Sequence, residues 1–244
     1  MKKILCVIPS RIGSTRLPRK PLLPIKGKPM VQLVYENALS CAWLYDVIVA
    51  TDNHEIMQVI QNINGKVMMT DSNLLTGSDR VAAIAKEFPE VDVFINLQGD
   101  EPFVTATMLE QLVFPYLHNE DPDMATLARE LNYEKDKDNP GVVKVITDLQ
   151  GNAIYFSRAP IPYFRQDISN APVYHHIGLY AFKRNFLLKY SKLPMSPLER
   201  AESLEQLRAL EHGFKIRVSL TKVKTLEINT LEEYQLAQNF NSKF

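Results

Sequence analysis

Short apolar runs alternate with amphipathic stretches of helical period through the first half of the chain, and this alternation restricts the fold more than any other feature. Ile4 to Ile8, Val47 to Ala50 and Val91 to Leu97 read as buried strands, the last interrupted only by Asp92 and Asn96. Met30 to Leu39, His54 to Ile63, Val81 to Phe88 and Thr107 to Leu117 carry apolar residues at helical spacing. Pro29 suits a first helical turn, and Asn53 suits the cap of the next helix. Strands separated by helices of this length predict a parallel α/β sheet with right-handed crossovers. Such sheets bind ligands beyond the carboxyl ends of their strands. Three polar segments fall there: Ser10 to Lys20, Thr51 to Asn53, and Gln98 to Pro102. Each alone reads equally well as a surface connection, but three at one sheet edge point to an active site.

From Met124 the pattern changes. Met124 to Ala128, Val142 to Thr147, Ala153 to Phe156 and Val173 to Phe182 read as strands, with Gln150-Gly151 as a turn and Glu134 to Asn139 as a candidate mobile loop. A helix from about Leu198 to Glu211 is expected to stop at Gly213. Lys215 to Leu220 and Lys224 to Ile228 read as late strands before a terminal helix from Leu231. The expected organisation is one catalytic unit over 1–244. Residues 1–123 plus 184–244 form its core, and 124–183 form a smaller extension.

The chain has 244 residues, 45% of them hydrophobic. Folding a chain of this size hides about 70% of its extended surface, enough for a core without metal or disulfide staples. Cys6 and Cys41 are too few for a disulfide framework or a CxxC zinc site and fit a reducing, cytoplasmic compartment. The apolar run after Lys3 stops at Pro9, too short for a secretory or membrane-spanning segment. Lys plus Arg equals Asp plus Glu at 28 each, so no global field draws nucleic acid or a membrane. Local clusters of charge must carry any anion binding.

Ser10 to Lys20 supplies three arginines, a lysine, hydroxyls and a glycine directly after a strand. Guanidinium forks, a point-charge ammonium and backbone donors near a glycine turn suit a polyphosphate, although the spacing fits neither the Walker A loop nor the dinucleotide fingerprint. Asp100, in Leu97-Gln98-Gly99-Asp100-Glu101-Pro102, suits Mg²⁺ held against phosphate oxygens, or else simply begins a helix. His175 and His176 face opposite sides of a strand and cannot pair on one metal. Glu202, Glu205 and Arg208 are spaced for a salt-bridged helix face, while Glu205-Gln206 equally suits a polyhydroxylated ligand.

Ile8-Pro9-Ser10-Arg11, Ser14-Thr15-Arg16-Leu17-Pro18, Lys20-Pro21-Leu22, Val49-Ala50-Thr51-Asp52 and Gly77-Ser78-Asp79-Arg80 resemble the 3-deoxy-manno-octulosonate (Kdo) cytidylyltransferases of lipopolysaccharide synthesis. The likeness continues through Asn96 to Pro102, Tyr155-Phe156-Ser157-Arg158, His176-Ile177-Gly178-Leu179-Tyr180 and Leu204-Glu205-Gln206-Leu207-Arg208. The resemblance implies a nucleotide-diphospho-sugar transferase-like α/β fold, with a mixed sheet, flanking helices and a smaller sugar-binding and dimerisation lobe. It implies a Mg²⁺-dependent enzyme that joins CTP, its co-substrate, to Kdo, giving CMP-Kdo and pyrophosphate, and that works as a homodimer.

Carried over residue by residue, Arg11, Ser14, Thr15 and Lys20 resemble CTP contacts, and Gly77 and Ser78 fall in the cytidine segment. Arg80, Gln98, Tyr155, Arg158, His176, Tyr180, Glu205 and Gln206 resemble sugar-site residues. Asp100 resembles the principal metal ligand, and Arg11, Lys20 and Asp100 form the implied catalytic set. Two positions depart from the family pattern. Arg19 stands where the family commonly has Gly, adding bulk and charge beside the phosphate loop. Asn229 stands where a second metal-binding Asp is usual. On a strand, Glu227 would share its face but sit about 6.6 Å away. The likeness also extends to the branch that uses the 8-amino analogue of Kdo, and Asn229 leaves room for a CTP-binding homologue without turnover.

Overall fold

The computed structural model describes residues 2–13, 17–165 and 171–240. In chain order the elements are β1 (Ile4–Ser10), a 3₁₀ turn (Lys20–Leu22), β2 (Pro24–Ile25), β3 (Lys28–Pro29), α1 (Met30–Leu39), β4 (Asp46–Thr51), α2 (His54–Gln61), β5 (Val67–Met69), α3 (Gly77–Glu87), β6 (Val93–Asn96) and α4 (Ala106–Leu117). There follow β7 (Met124–Glu130), α5 (Tyr133–Asp136), β8 (Lys144–Thr147), β9 (Ala153–Ser157), β10 (Val173–Lys183), α6 (Arg184–Tyr190), α7 (Pro197–Glu202), α8 (Leu207–Glu211), β11 (Ile216–Thr221) and α9 (Leu231–Ala237). Two compact units result. The first comprises Met1–Glu110, Lys183–Ser191 and Val223–Phe244, and the second Gln111–Phe182 and Lys192–Lys222. Residues 192–222 thus group with the extension strands.

In the first unit β1 runs between β4 and β6, and β5 follows β4, all parallel. All seven residues of β1 are buried. That is why it reads as an unbroken apolar run, as parallel strands covered on both faces do. Asn53 caps α2, its side chain accepting from the Glu55 and Ile56 amides. α3 starts at Gly77, earlier than its apolar period, because Thr76 and Asp79 form a reciprocal capping box. Pro29 lies just before α1 rather than in its first turn.

The expected strand over 224–228 does not form. Ile228 is fully buried in a cluster with Leu17, Ile25, Met30 and Phe103. Its amide donates to the Asp100 carbonyl at 3.0 Å, so its backbone serves a loop and not a ladder.

The second unit is a mixed sheet. β11 pairs parallel with β7, β7 antiparallel with β10, β10 antiparallel with β8, and β8 antiparallel with β9. The single helix expected over 198–211 is two short helices. Ser203 adopts φ +52° after α7, and 204–206 form a turn before α8. Gly213, at φ +80°, ends the second helix where expected.

Candidate active site

The first unit opens a cleft of 350 Å³ beyond the carboxyl ends of β1 and β6. Its lining includes Arg11, Lys20, Arg80, Gln98, Asp100 and Asn229, residues from four separate parts of the chain. Ser14 and Thr15 lie outside the described residues.

Lys20 ties the cleft floor together. Its ammonium donates to Asp100 Oδ2 at 2.7 Å, to the Ile228 carbonyl at 3.0 Å and to Asn229 Oδ1 at 3.2 Å. Three donors meet three acceptors, so Lys20 reaches a phosphate only by exchanging one of them. Asn229 bridges onward, its Nδ2 donating to Glu227 Oε1 at 2.6 Å. Strand alternation does not apply here, and Glu227 reaches Asn229 directly. Glu101, next in sequence to Asp100, is almost fully buried and accepts from Thr225 Oγ1 at 2.8 Å. Burial, then the charge of Glu227, pushes its carboxyl up to about 8.

Gln98 is oriented from behind. Its Nε2 donates to Asn96 Oδ1 at 3.1 Å, and Asn96 Nδ2 donates to Ser78 Oγ at 3.2 Å. Gly77 permits this closeness, because a Cβ there would stand 3.2 Å from both Gln98 Nε2 and Pro9 Cγ. Arg80 is buried, with its guanidinium on Asp52 Oδ2 at 3.0 Å and on Thr70 Oγ1. Its charge is therefore matched within the protein. Arg11 is more open and donates to the Leu75 carbonyl at 3.5 Å.

Arg19 does not line the cleft. It sits at φ +57°, and its guanidinium forms a two-pronged pair with Glu55 of α2 at 3.1 and 2.5 Å. The left-handed backbone gives a physical reason for glycine at this position.

The second unit gathers His176, Tyr180 and Gln206. The Tyr180 hydroxyl donates to Gln206 Oε1 at 3.0 Å, and the His176 and Tyr180 rings lie 5.6 Å apart. Gln206 is buried, and its Nε2 has no hydrogen-bond partner among the described residues. Burial, reinforced by His175, holds the His176 imidazole down at about 3. Tyr155 is half-buried beside Glu202, and Glu205 is half-buried in the turn between the helices.

Arg158 spends its guanidinium on backbone. Nε meets the Glu202 carbonyl at 2.8 Å, Nη1 the Pro140 carbonyl at 2.8 Å, and Nη2 the Ser203 carbonyl at 3.5 Å. Arg208 pairs with buried Glu199, Nε to Oε2 at 2.8 Å, and so is not part of an exposed charged face with Glu205. Sequence periodicity missed Asn96, Thr126 and Glu199 as supporting residues. Only Asn96 carried a signal, as a polar interruption of an apolar strand.

Among the described residues, buried Asp100 Oδ1 has no hydrogen-bond partner, and Asn229 presents a carbonyl oxygen to the same cleft. Hard oxygen donors of this kind fit Mg²⁺ completed by phosphates and water. Among the described residues, no group of three or more His, Cys, Asp or Glu is placed to hold a metal unaided. No helix among them is long and apolar enough to cross a membrane.

A parallel α/β sheet with a basic cleft and a carboxylate at its strand ends defines a nucleotide-binding class of enzyme. The cytidylyltransferase family matches residues 5–216. A 3-deoxy-manno-octulosonate cytidylyltransferase of Acaryochloris marina is 50% identical, covering 97% of this chain and 96% of the relative. The solved structure of a CMP:2-keto-3-deoxy-manno-octonic acid synthetase complexed with CTP superposes with a TM-score of 0.90 at 40% identity, covering 98% of this chain and 100% of that one. An 8-amino-3,8-dideoxy-manno-octulosonate cytidylyltransferase of Shewanella pealeana is 45% identical, covering 95% of this chain and 96% of the relative. The chain belongs to the 3-deoxy-manno-octulosonate cytidylyltransferase family.

Proposed function

We infer that the protein joins the CMP moiety of CTP to 3-deoxy-manno-octulosonate and releases pyrophosphate, supplying CMP-Kdo for lipopolysaccharide. The observation that carries this reading is the cleft, where Arg11, Lys20, Gln98 and Asp100 converge in a chain 50% identical to such an enzyme along its length. The sugar's anomeric hydroxyl attacks the α-phosphorus while pyrophosphate departs opposite. Arg11 offers a guanidinium to the triphosphate, and Lys20 adds a second positive charge at the cleft floor. Ser14, Thr15, Gly77 and Ser78 complete the proposed CTP contacts. Gln98 and Arg80 of the first unit, and His176, Tyr180, Glu205, Gln206, Tyr155 and Arg158 of the second, are the proposed sugar contacts.

Asp100 and Asn229 would hold Mg²⁺, which when bound orients the triphosphate and offsets its charge. No covalent enzyme nucleophile is needed, and no side chain is assigned as general base. We place the enzyme in the cytoplasm as a homodimer acting as one catalytic unit.

Purified protein with CTP, Kdo and Mg²⁺ is expected to form CMP-Kdo. CTP binding by calorimetry without product on either sugar would instead identify a non-catalytic homologue. The 8-amino sugar is the competing substrate, motivated by the 45% identical Shewanella relative. Equal concentrations of both sugars in one reaction decide between them by the ratio of products. Asp100→Asn is expected to lower kcat by roughly 100-fold or more, the scale of a lost charge-stabilising contact. Full activity of that variant across a Mg²⁺ titration would remove Asp100 from the metal site.

A further inference from the structure

Pairing between β10 and β7 shifts register between Ile177 and Tyr180. At that irregularity the fully buried Thr126 has three neighbours for one hydroxyl. Its Oγ1 donates toward the Leu179 carbonyl at 2.8 Å and the Ile177 carbonyl at 3.2 Å, and it lies 3.0 Å from His176 Nε2.

A hydroxyl has one proton and two lone pairs, and a carbonyl can only accept. The Thr126 proton therefore goes to the carbonyls, and the contact with His176 closes only if Nε2 carries a proton. The opposite tautomer would withdraw the hydroxyl proton from both carbonyls and leave them competing for nothing. His176 is neutral at physiological pH, as its burial requires, so one ring nitrogen is protonated and the other keeps its lone pair. Edge-on contact with Phe156, ring centroids 4.9 Å apart, restrains the ring further.

We propose that Thr126 is a positioning residue that holds His176 as its Nε2–H tautomer, so that the Nδ1 lone pair is what this side chain offers the sugar. The ligand group received there must be a donor, a hydroxyl or an ammonium, and a ligand acceptor is refused. The sugar half of this statement rests on the proposed function. The tautomer half rests on the Thr126 geometry and the burial of the ring.

Ring ¹⁵N shifts of His176, measured in the full-length protein labelled at histidine, test both halves. The wild type and Thr126→Ser are expected to show protonated Nε2 and unprotonated Nδ1. Thr126→Val is expected to show a mixture or the opposite form. Saturating Kdo with CTP is expected to move the Nδ1 resonance in the wild type. In turnover, Thr126→Val is expected to raise KM for the sugar roughly ten-fold, the scale of one hydrogen bond, with KM for CTP unchanged and Thr126→Ser near wild type. Protonated Nδ1 in the wild type overturns the proposal without any variant having to fold. A Thr126→Val protein still wholly Nε2–H overturns the role of Thr126. A tautomer set by Thr126 with an Nδ1 resonance unmoved by the sugar refutes the sugar contact, and so separates failure of the proposed sugar site from failure of the tautomer.

Discussion

Arg19 and Asn229 are the two side chains that the resemblance marks as departures from the family pattern, and the structure gives them different physical meanings. Arg19 holds a left-handed backbone and turns its charge to Glu55, both groups well exposed. A side chain in that backbone region costs about 1 kcal/mol that glycine does not. Arg19→Gly is therefore expected to leave the unfolding midpoint unchanged or raised and KM for CTP unchanged. A several-fold rise in KM for CTP would place Arg19 on the phosphates after all. Asn229 accepts from Lys20 and donates to Glu227. Asn229→Asp would keep the first contact and set two carboxylates face to face in place of the second. In metal-free buffer this variant is expected to lose about 1 kcal/mol, with Mg²⁺ restoring it and Glu227→Gln relieving it. Thermal unfolding with and without Mg²⁺ measures all three. Insensitivity of the variant to both Mg²⁺ and Glu227→Gln would show that Asn229 does not couple Glu227 to the cation site.

At the scale of elements, the α7–α8 corner is held by buried charge. Glu199 completes the capping box that starts α7 and also takes the Arg208 guanidinium from α8. The pair closes the turn that carries Glu205 and Gln206. Removing one partner strands the other away from water, so Arg208→Met is expected to cost about 3 kcal/mol, and the double variant Glu199→Leu/Arg208→Met less. Chemical denaturation of the three proteins gives the comparison. Equal losses in single and double variants would mean that packing volume, and not the ion pair, holds the corner. The same corner shows why periodicity overshot. Apolar spacing from 198 to 211 is continuous, but Ser203 adopts a conformation that periodicity does not encode. Conversely, α3 began earlier than its apolar pattern because a local signal, Thr76 with Asp79, set its start.

Across the whole molecule, acid should act through the β10 histidines. Burial lowers His175 to about 4 and, more strongly, His176 to about 3, against an ordinary value near 6.5. An unfolded chain binds these protons first, so the stability they contribute is present above about 6.5 and is lost as pH falls toward the folded values. The slope approaches about 1.4 kcal/mol per pH unit for each histidine protonated on unfolding. Glu101, held up at about 8, opposes this decline, so urea unfolding between pH 7 and 4.5 is expected to show the histidine contribution as a difference: stability of His176→Gln falls less with acid than that of the wild type. A variant with the wild-type slope would remove His176 from the decline.

What the sequence determined by itself was the parallel α/β half and the inventory of its cleft. Buried parallel strands must be apolar on both faces, and helices must carry a 3.6-residue stripe, so β1, β4, β6 and the helices between them are visible in the periodicity. The phosphate-binding chemistry of Ser10 to Lys20 and the carboxylate of Asp100 are visible for a related reason, because charged and glycine-rich stretches interrupt that pattern where strands end. Tertiary structure alone decided how these groups are engaged. Lys20 meets Ile228 and Asn229 from more than 200 positions away, Arg80 is neutralised by Asp52, and Arg158 binds backbone carbonyls. Hydrogen-bond partners of this kind depend on where distant segments cross, and no local period records a crossing. Thr126 is the extreme case: in sequence it is one hydroxyl in an apolar strand, and only the register of β7 against β10 gives its proton somewhere to go.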